Sequence, residues 1–230
     1  MGLFSPKKKR EIIDSNTGEV IEIKEDIKCC VCGAELGAFN KNKITRDFYI
    51  CDDCAGKSAI MRHKKEVENY SDEALKELIQ KKSDKADTFN VTNKSGSFLF
   101  VDNESKQLTI PYFSGLVKNV PNVDPDDIIS FDSVIGYTLL KDGNVISEGG
   151  RDNKAQDTGV FAFYTEMPGK NDDTASCSEI LIRIKTNLND RPELPIYVLD
   201  RQVSLSSDTY KIAMYNAEQI INILMWICKE

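Results

Sequence analysis

Four cysteines in two Cys-x-x-Cys pairs constrain the fold of this chain more than any other feature of its sequence. Cys29 and Cys32 form the first pair, Cys51 and Cys54 form the second, and eighteen residues separate the two pairs. This spacing is typical of four-thiolate zinc sites, in which two tight turns direct all four sulfurs at one ion. We therefore predict one structural Zn²⁺, bound by these four side chains.

Two other interpretations of the cysteines remain open from the sequence. The pairs could be redox-active dithiols or plain buried thiols, and Cys30, inside the first pair, could replace Cys29 as a ligand. A single redox pair would not need a second pair at this distance, which favours zinc. Four thiolates leave no open coordination position, so the ion would stabilise a segment that is too short to fold alone.

The residues between and after the cysteine pairs predict a small unit with a strand and short helices. Lys43–Ile50 mixes β-branched and aromatic residues and predicts a strand that leads into the second pair. A helical stretch is predicted over Ala55–Tyr70, and a second helix after Ser71, where two acidic residues occupy the first turn. The polar run Lys81–Asp87 has little to bury and predicts a domain boundary.

These segments resemble a known family. The run Cys29–Gly33, the strand that ends at Cys51, the Cys51–Ala55 turn and the helical start Ser71–Ile79 are similar to the small bacterial zinc ribbon known as domain of unknown function 4428. The resemblance covers about residues 28–82. It implies a zinc ribbon followed by a short helix that begins with acidic residues, and it implies no particular activity.

The sequence pattern of the remaining residues predicts a β domain. After Phe89, short strand-like segments alternate with turns such as Lys141–Asn144, which predicts a barrel or a sandwich. The predicted strands are Gly96–Asp102, Gln107–Pro111, Ile128–Phe131, Val134–Lys141, Asn144–Glu148, Val160–Tyr164, Ser178–Thr186 and Ile196–Leu199.

A long amphipathic helix closes the sequence. Ser206–Asp208 provides capping residues, and apolar side chains from Tyr210 to Cys228 recur on one face. A β-barrel closed by a C-terminal helix resembles the bacterial pleckstrin-homology-like fold over residues 89–230. That resemblance implies binding of a lipid, a peptide or a scaffold partner, and the fold alone does not choose among them.

We therefore predict an α+β protein with four parts. Residues 1–27 form a basic tail with a hairpin over Glu11–Ile23, residues 28–82 form the zinc ribbon with its helices, residues 83–88 form a linker, and residues 89–230 form the pleckstrin-homology-like domain. Acidic residues between Glu11 and Asp26 occupy the place of the apolar part of a signal peptide, so we expect a cytoplasmic protein.

Charge divides the chain unevenly and limits its partners. Residues 1–85 carry 17 Lys and Arg against 16 Asp and Glu, whereas residues 86–230 carry 13 against 21. An acidic second half repels nucleic acids and anionic lipid at long range, and two apolar residues in the tail are too few for a stable membrane anchor. A nucleic-acid surface would have to use the basic residues near the ribbon, which are Lys41, Lys43, Arg46, Lys57, Arg62, Lys64 and Lys65.

No catalytic pattern accompanies the zinc site. The sequence contains no recognisable nucleophile with its base, no phosphate-binding loop and no paired carboxylates at a known spacing. We predict a non-catalytic interaction or adaptor protein that binds an unidentified protein partner through its barrel. The alternative is a nucleic-acid-binding protein that uses the ribbon and the basic N-terminal residues.

Overall fold

The computed structural model describes residues 10–13, 20–23, 27–37, 40–45, 47–113, 121–152 and 175–230. The chain divides into two compact units. We call residues 1–55 and 60–80 the cysteine unit, and residues 56–59 and 81–230 the sheet unit. Each unit is described by itself.

The cysteine unit contains two short antiparallel pairs and a helical segment. Strands β1 (Arg10–Ile13) and β2 (Val20–Ile23) pair with Arg10 opposite Ile23, one residue beyond the span Glu11–Ile23 predicted for a hairpin. Strands β3 (Asn42–Lys43) and β4 (Tyr49–Ile50) pair with Asn42 opposite Ile50. Helix α1 (Asp52–Ser58) follows β4 directly, and helix α2 (Asp72–Thr88) begins in this unit.

Two sequence predictions for the cysteine unit are corrected. The single strand predicted over Lys43–Ile50 is a hairpin, because the chain reverses between β3 and β4 and the Ile44 amide donates to the Phe48 carbonyl at 2.9 Å. The helix predicted over Ala55–Tyr70 ends at Ser58, because Ala59 has a left-handed φ of 52° and the chain continues in turns.

Helix α2 begins where its capping residue predicted. Ser71 Oγ accepts a hydrogen bond from the Ala74 amide at 3.2 Å, and Leu75 and Ile79 are fully buried on one face. The helix then continues through Thr88, so the predicted linker, 83–88, lies within its last turns. The four-part division of the chain stays a prediction.

The sheet unit is built on two four-stranded antiparallel sheets. The first has the strand order β10-β7-β6-β5 and the second the order β12-β11-β14-β15, and two-stranded pairs β8-β9 and β13-β16 accompany them. The strands are β5 (Asn93–Ser95), β6 (Leu99–Asp102), β7 (Gln107–Thr109), β8 (Tyr112–Phe113), β9 (Pro121–Asn122), β10 (Ile129–Ser130), β11 (Val134–Lys141), β12 (Asn144–Gly150), β13 (Ser176–Cys177), β14 (Ile180–Thr186), β15 (Glu193–Leu199) and β16 (Val203–Ser204).

Most of the predicted strands are present, but they do not close a barrel. Among the described residues, β5 and β10 are the edges of one sheet and β12 and β15 are the edges of the other. Short 3₁₀ turns at Pro125–Asp127 and Phe131–Ser133 flank β10. The strand predicted at Val160–Tyr164 lies outside the described residues.

Helix α3 (Asp208–Ile227) supplies much of the apolar core of the sheet unit. The Ser207 side chain caps the helix by accepting from the Tyr210 amide, as the sequence predicted. The helix packs against β11, β14 and β15. Its buried residues are Ala213, Ala217, Ile220, Ile221, Leu224 and Ile227. In the described part of the chain, no helix combines the length and the apolarity needed to cross a bilayer.

The end of α3 is held by a ring contact and an arginine. Trp226 packs edge-on against Phe131, with 5.6 Å between ring centroids. The Arg151 guanidinium donates to the carbonyls of Val134 at 2.8 Å and Phe131 at 3.0 Å, with a longer contact of 3.4 Å to Ile227. The Arg151 side chain thereby links the C-terminal end of α3 to the start of β11.

Strands β11 and β12 approach closely where two glycines face each other. Gly136 is the register partner of Gly150. A Cβ added at Gly136 would lie 2.6 Å from the Gly149 carbonyl oxygen, and one at Gly150 would lie 2.6 Å from the Ile135 carbonyl oxygen. Backbone atoms cannot move aside as a flexible side chain can, so the close approach of β11 and β12 at this point requires glycine on both strands.

Asp102 fixes the turn between β6 and β7. One carboxylate oxygen accepts from the amides of Glu104 and Ser105, both at 3.0 Å, and the other accepts from the Asn90 amide at 2.9 Å. Burial raises the pKa of Asp102, but these hydrogen bonds outweigh burial and the pKa lies below its ordinary value of 3.8.

Replacing Asp102 with alanine should destabilise the sheet unit by about 1–3 kcal/mol, because the amides of Asn90, Glu104 and Ser105 lose a buried, charged acceptor. A folded-state pKa below the unfolded value means that the stabilisation is complete above about pH 5 and declines as the pH falls through about 4. Thermal unfolding between pH 7 and pH 3 should therefore show a smaller difference between variant and wild type in acid. The exposed neighbour Glu104 provides the control, since Glu104→Ala should have little effect at any of these pH values.

Candidate metal centre

A glycine-assisted turn presents the first cysteine pair. Gly33 has a φ of 76°, a conformation that favours glycine, and its amide donates to the Cys29 carbonyl at 2.9 Å. The Cys29 amide donates to the Ala34 carbonyl at 2.7 Å. This narrow turn brings Cys29 and Cys32 to the same side of the chain.

The second pair lies where β4 passes into α1. Cys51 follows the strand, and Cys54 occupies the first turn of the helix. The Cys54 amide points at the Cys51 sulfur at 3.4 Å, and the Ala55 amide donates to the Cys51 carbonyl at 3.0 Å. The helical turn therefore sets the separation of the second pair, as the glycine turn does for the first.

The four sulfurs converge on one point. Cys29 Sγ lies 3.8 Å from Cys54 Sγ, and Cys32 Sγ lies 3.7 Å from Cys51 Sγ, while all four lie within 4.8 Å of one another. A tetrahedron with metal–sulfur bonds of about 2.3 Å has edges of about 3.8 Å. The sulfurs are too far apart for disulfides, and all four cysteines are free thiols.

An apolar layer covers most of the cluster. Cys29, Cys51 and Cys54 are buried, whereas Cys32 is exposed. The side chains of Ile44, Phe48 and Ile50 are at most 2% exposed and belong to the same apolar cluster as the buried cysteines. Water has access to the site mainly beside Cys32.

The pKa values of Cys29, Cys51 and Cys54 are shifted in different directions. Burial raises the pKa of the Cys29 thiol, but backbone hydrogen bonds from Cys32, Cys51 and Val31 outweigh it and lower the pKa to about 7. Burial raises the pKa of Cys51 and Cys54, and the negative charge on Cys29 raises both further. A divalent cation would offset the repulsion between the thiolates. Thiolates are soft ligands, so the four cysteines are suited to a soft metal ion.

Cys30 does not join the cluster. Its amide donates to the Tyr49 carbonyl at 2.8 Å, which links the first cysteine turn to β4, and its side chain packs against the apolar cluster. The sulfur that converges with Cys32, Cys51 and Cys54 is that of Cys29. The backbone of the turn therefore directs the Cys29 sulfur, and not that of Cys30, toward the other three sulfurs.

The basic residues predicted for nucleic-acid contact are only partly brought together. Lys41 and Lys43 both lie over the Tyr49 ring, at 4.1 and 5.7 Å from its centroid. Lys57, at the end of α1, pairs with Asp87 at 3.1 Å. The remaining residues are Arg62, Lys64 and Lys65, which are exposed in the turns after α1, and Arg46, which lies outside the described residues.

Sequence analysis did not single out Asn42, which is 6% exposed beside the second cysteine pair. Its side chain contacts the residues on both sides of Cys51, namely Ile50 and Asp52. A single asparagine at the start of a short strand belongs to no motif, so the sequence pattern gave no means of finding it.

Comparison with known proteins finds a family match for the segment that carries the four cysteines. Residues 28–78 match a family described as a domain of unknown function (DUF4428), which confirms that resemblance for under a quarter of the chain. No curated protein and no solved structure matches the chain. The pleckstrin-homology-like resemblance of residues 89–230 stays a prediction.

Proposed function

We propose that Cys29, Cys32, Cys51 and Cys54 bind one structural Zn²⁺. The observation that carries this proposal is the pair of sulfur–sulfur distances, 3.8 and 3.7 Å, which equal the edges of a zinc–thiolate tetrahedron. Four thiolates also suit iron. Elemental analysis of the purified protein distinguishes the two metals.

The donor set favours a structural role over catalysis. Four protein ligands fill a tetrahedral ion, so no position remains for a water molecule or a substrate. The metal would instead connect two turns that are separated by eighteen residues and would stabilise the apolar cluster around them. We infer that the chain is not an enzyme and that its function is to bind another macromolecule.

We infer a pleckstrin-homology-like fold for the sheet unit. Two four-stranded antiparallel sheets followed by a core-forming C-terminal helix support this assignment. Folds of this kind present binding surfaces on a stable framework. The assignment makes residues 89–230 the part of the chain that would hold a partner.

A line of apolar side chains crosses the outer face of the second sheet, and it favours a protein partner. Val145, Leu140, Leu181 and Tyr197 are successive register partners on the four adjacent strands, and we call them the apolar row. Directly paired residues share one face of a sheet. Their sequence neighbours belong to the core, so the row faces away from the core. Its two ends, Val145 and Tyr197, are 60% and 54% exposed, whereas Leu140 and Leu181 between them are buried.

The charges beside the apolar row balance each other. Lys185 pairs with Glu148 at 3.8 Å, and Arg183 approaches Glu193 at 4.0 Å. Exposed apolar side chains with balanced charges beside them are typical of protein–protein contacts, whereas phosphate binding needs an excess of positive charge. The occupant we propose is a protein segment with apolar side chains.

The wild-type chain should capture a protein from a lysate of its native host, and the double variant Val145→Ser/Tyr197→Ser should lose that protein. The loss follows from the removal of the exposed apolar ends of the row. Ile212→Ser is the matched control, because Ile212 is also 60% exposed but lies on α3. Equal capture by all three proteins, measured by quantitative mass spectrometry, would contradict the proposed surface.

Nucleic-acid binding by the cysteine unit is the second candidate. The two lysines around Tyr49 favour it, but Phe48 is 1% exposed and is not accessible for base stacking. Fluorescence anisotropy with random DNA and RNA between 50 and 200 mM salt separates the candidates. Saturable binding that weakens steeply with salt would favour this candidate over the adaptor.

A further inference from the structure

The side chain of Asn42 spans the two residues that flank one of the cysteines. Its amide nitrogen donates to the Asp52 carboxylate at 2.7 Å and lies 3.5 Å from the Ile50 carbonyl oxygen. Ile50 precedes Cys51 and Asp52 follows it. The contact to Asp52 is short and charge-assisted, whereas the contact to Ile50 is long and weak.

The chemistry of both partners determines the orientation of this amide. A carbonyl and a carboxylate can only accept hydrogen bonds, so the group that faces them must be the amide NH₂. Asn42 is also opposite Ile50 in the β3-β4 register, so its backbone is paired with the strand that leads into the second cysteine pair. Because Asn42 is only 6% exposed, water cannot readily replace the hydrogen bond.

The location of Asp52 gives the hydrogen bond a further role. Asp52 is the first residue of α1, and the same turn of helix carries Cys54. A hydrogen-bond donor stabilises this carboxylate and fixes its orientation. The Asn42 amide supplies that donor and holds the carboxylate in place beside β3.

We propose that Asn42 is a positioning residue of the metal centre, which holds the Cys51 turn in the geometry that binds the ion. This inference rests on the proposed zinc site. Outer contacts of this kind orient ligands in metal sites, and their removal typically weakens metal affinity by about 10- to 100-fold. The alternative is that Asn42 stabilises the hairpin without influencing the ion.

Full-length Asn42→Ala should bind Zn²⁺ about 10- to 100-fold more weakly than wild type in competition with a chromophoric chelator. When the chains are saturated with Co²⁺, the visible absorption bands of the variant should also change, because these bands report ligand geometry. Val67→Ala is the matched control, since Val67 is 3% exposed in the same apolar cluster. It should lower thermal stability and leave the Co²⁺ bands unchanged.

The partner residue provides a second comparison. In an Asp52→Ala background the hydrogen bond is already absent, so Asn42→Ala should change Zn²⁺ affinity by no more than about twofold. If Asn42→Ala does not fold, Asn42→Asp can replace it in the comparison of the wild-type and Asp52→Ala backgrounds. Aspartate keeps the shape of the side chain but turns the donor toward Asp52 into an acceptor.

Unchanged Zn²⁺ affinity in Asn42→Ala would overturn the inference. So would equal effects in both backgrounds, or a loss of affinity that Val67→Ala reproduces while both variants keep wild-type Co²⁺ bands. These results leave the proposed zinc site intact, because wild type still binds the ion. A wild-type chain that binds neither Zn²⁺ nor Co²⁺ would instead overturn the metal centre itself.

Discussion

The variant Cys54→Ser should contain no zinc after purification, whereas the wild-type protein should contain one ion per chain. A serine hydroxyl does not ionise at neutral pH, so one corner of the tetrahedron would lack a ligand. Zinc binding stabilises small metal-dependent units by roughly 10–16 kcal/mol. Elemental analysis measures the metal, and hydrogen exchange should show loss of protection in the cysteine unit and retained protection in the sheet unit.

Cys177→Ser is the matched control for this experiment. Cys177 is also buried, but it lies on β13 in the sheet unit, and burial raises the pKa of its thiol to about 11. This variant should keep a full complement of zinc. A strong chelator should reproduce the effect of Cys54→Ser on the wild type, and a cysteine unit that stays protected without its metal would contradict the structural role.

The first cysteine pair provides an independent check of the ligand set. Cys29→Ser should lose zinc and Cys30→Ser should retain it, because Cys29 is the residue whose sulfur converges with the other three. The opposite pattern in elemental analysis would mean that Cys30 is the ligand.

Removal of helix α3 should prevent the sheet unit from folding. A chain that ends at residue 205 lacks six buried side chains of α3, and the apolar residues of β11, β14 and β15 that they cover would be exposed to water. We expect the truncated protein to aggregate or to unfold without cooperativity. A soluble fragment 1–205 with a cooperative transition would contradict this role of the helix.

A point variant tests the same packing in the intact chain. Leu224 is 0% exposed, and Leu224→Ala should lower the free energy of unfolding by about 2–5 kcal/mol through lost burial and the cavity left behind. Emission from Trp226, which packs against Phe131, follows the transition in denaturant. Lys211 is exposed on the same helix, so Lys211→Ala should have almost no effect.

The cluster of four cysteines could be predicted from sequence because local spacing determines it. Two cysteines that are three residues apart meet in any tight turn, and Gly33 supplied the left-handed residue for the first turn. The contact between Asn42 and Asp52 could not be predicted in this way. It depends on the reversal of the chain between β3 and β4, which the alternation over Lys43–Ile50 did not indicate.

The helices show where local patterns mislead. Helix α1 ends because Ala59, an ordinary helix former, adopts a left-handed conformation. Helix α2 continues through the polar run Lys81–Asp87, where the sequence predicted a domain boundary, since lysine and alanine favour helix. Strand β11 has the predicted bounds, because Asp142 and Gly143, both with positive φ, form the tight turn that the sequence indicated.

Closure of the β domain depends on contacts between distant segments. Alternating apolar residues gave the positions of most strands, but whether edge strands meet is decided by twist and register across the whole sheet. The described residues contain two separate four-stranded sheets, and strand patterns alone do not distinguish that arrangement from a barrel.

The facing glycines of β11 and β12 have a consequence for the ancestry of the sheet unit. At apolar core positions one apolar residue can replace another as sequences diverge, so the residue type at such positions changes readily. Gly136 and Gly150 accept no substitute, because any Cβ would lie 2.6 Å from a carbonyl oxygen of the opposite strand. Distant relatives of this unit should therefore retain these two glycines long after the surrounding residues have ceased to align.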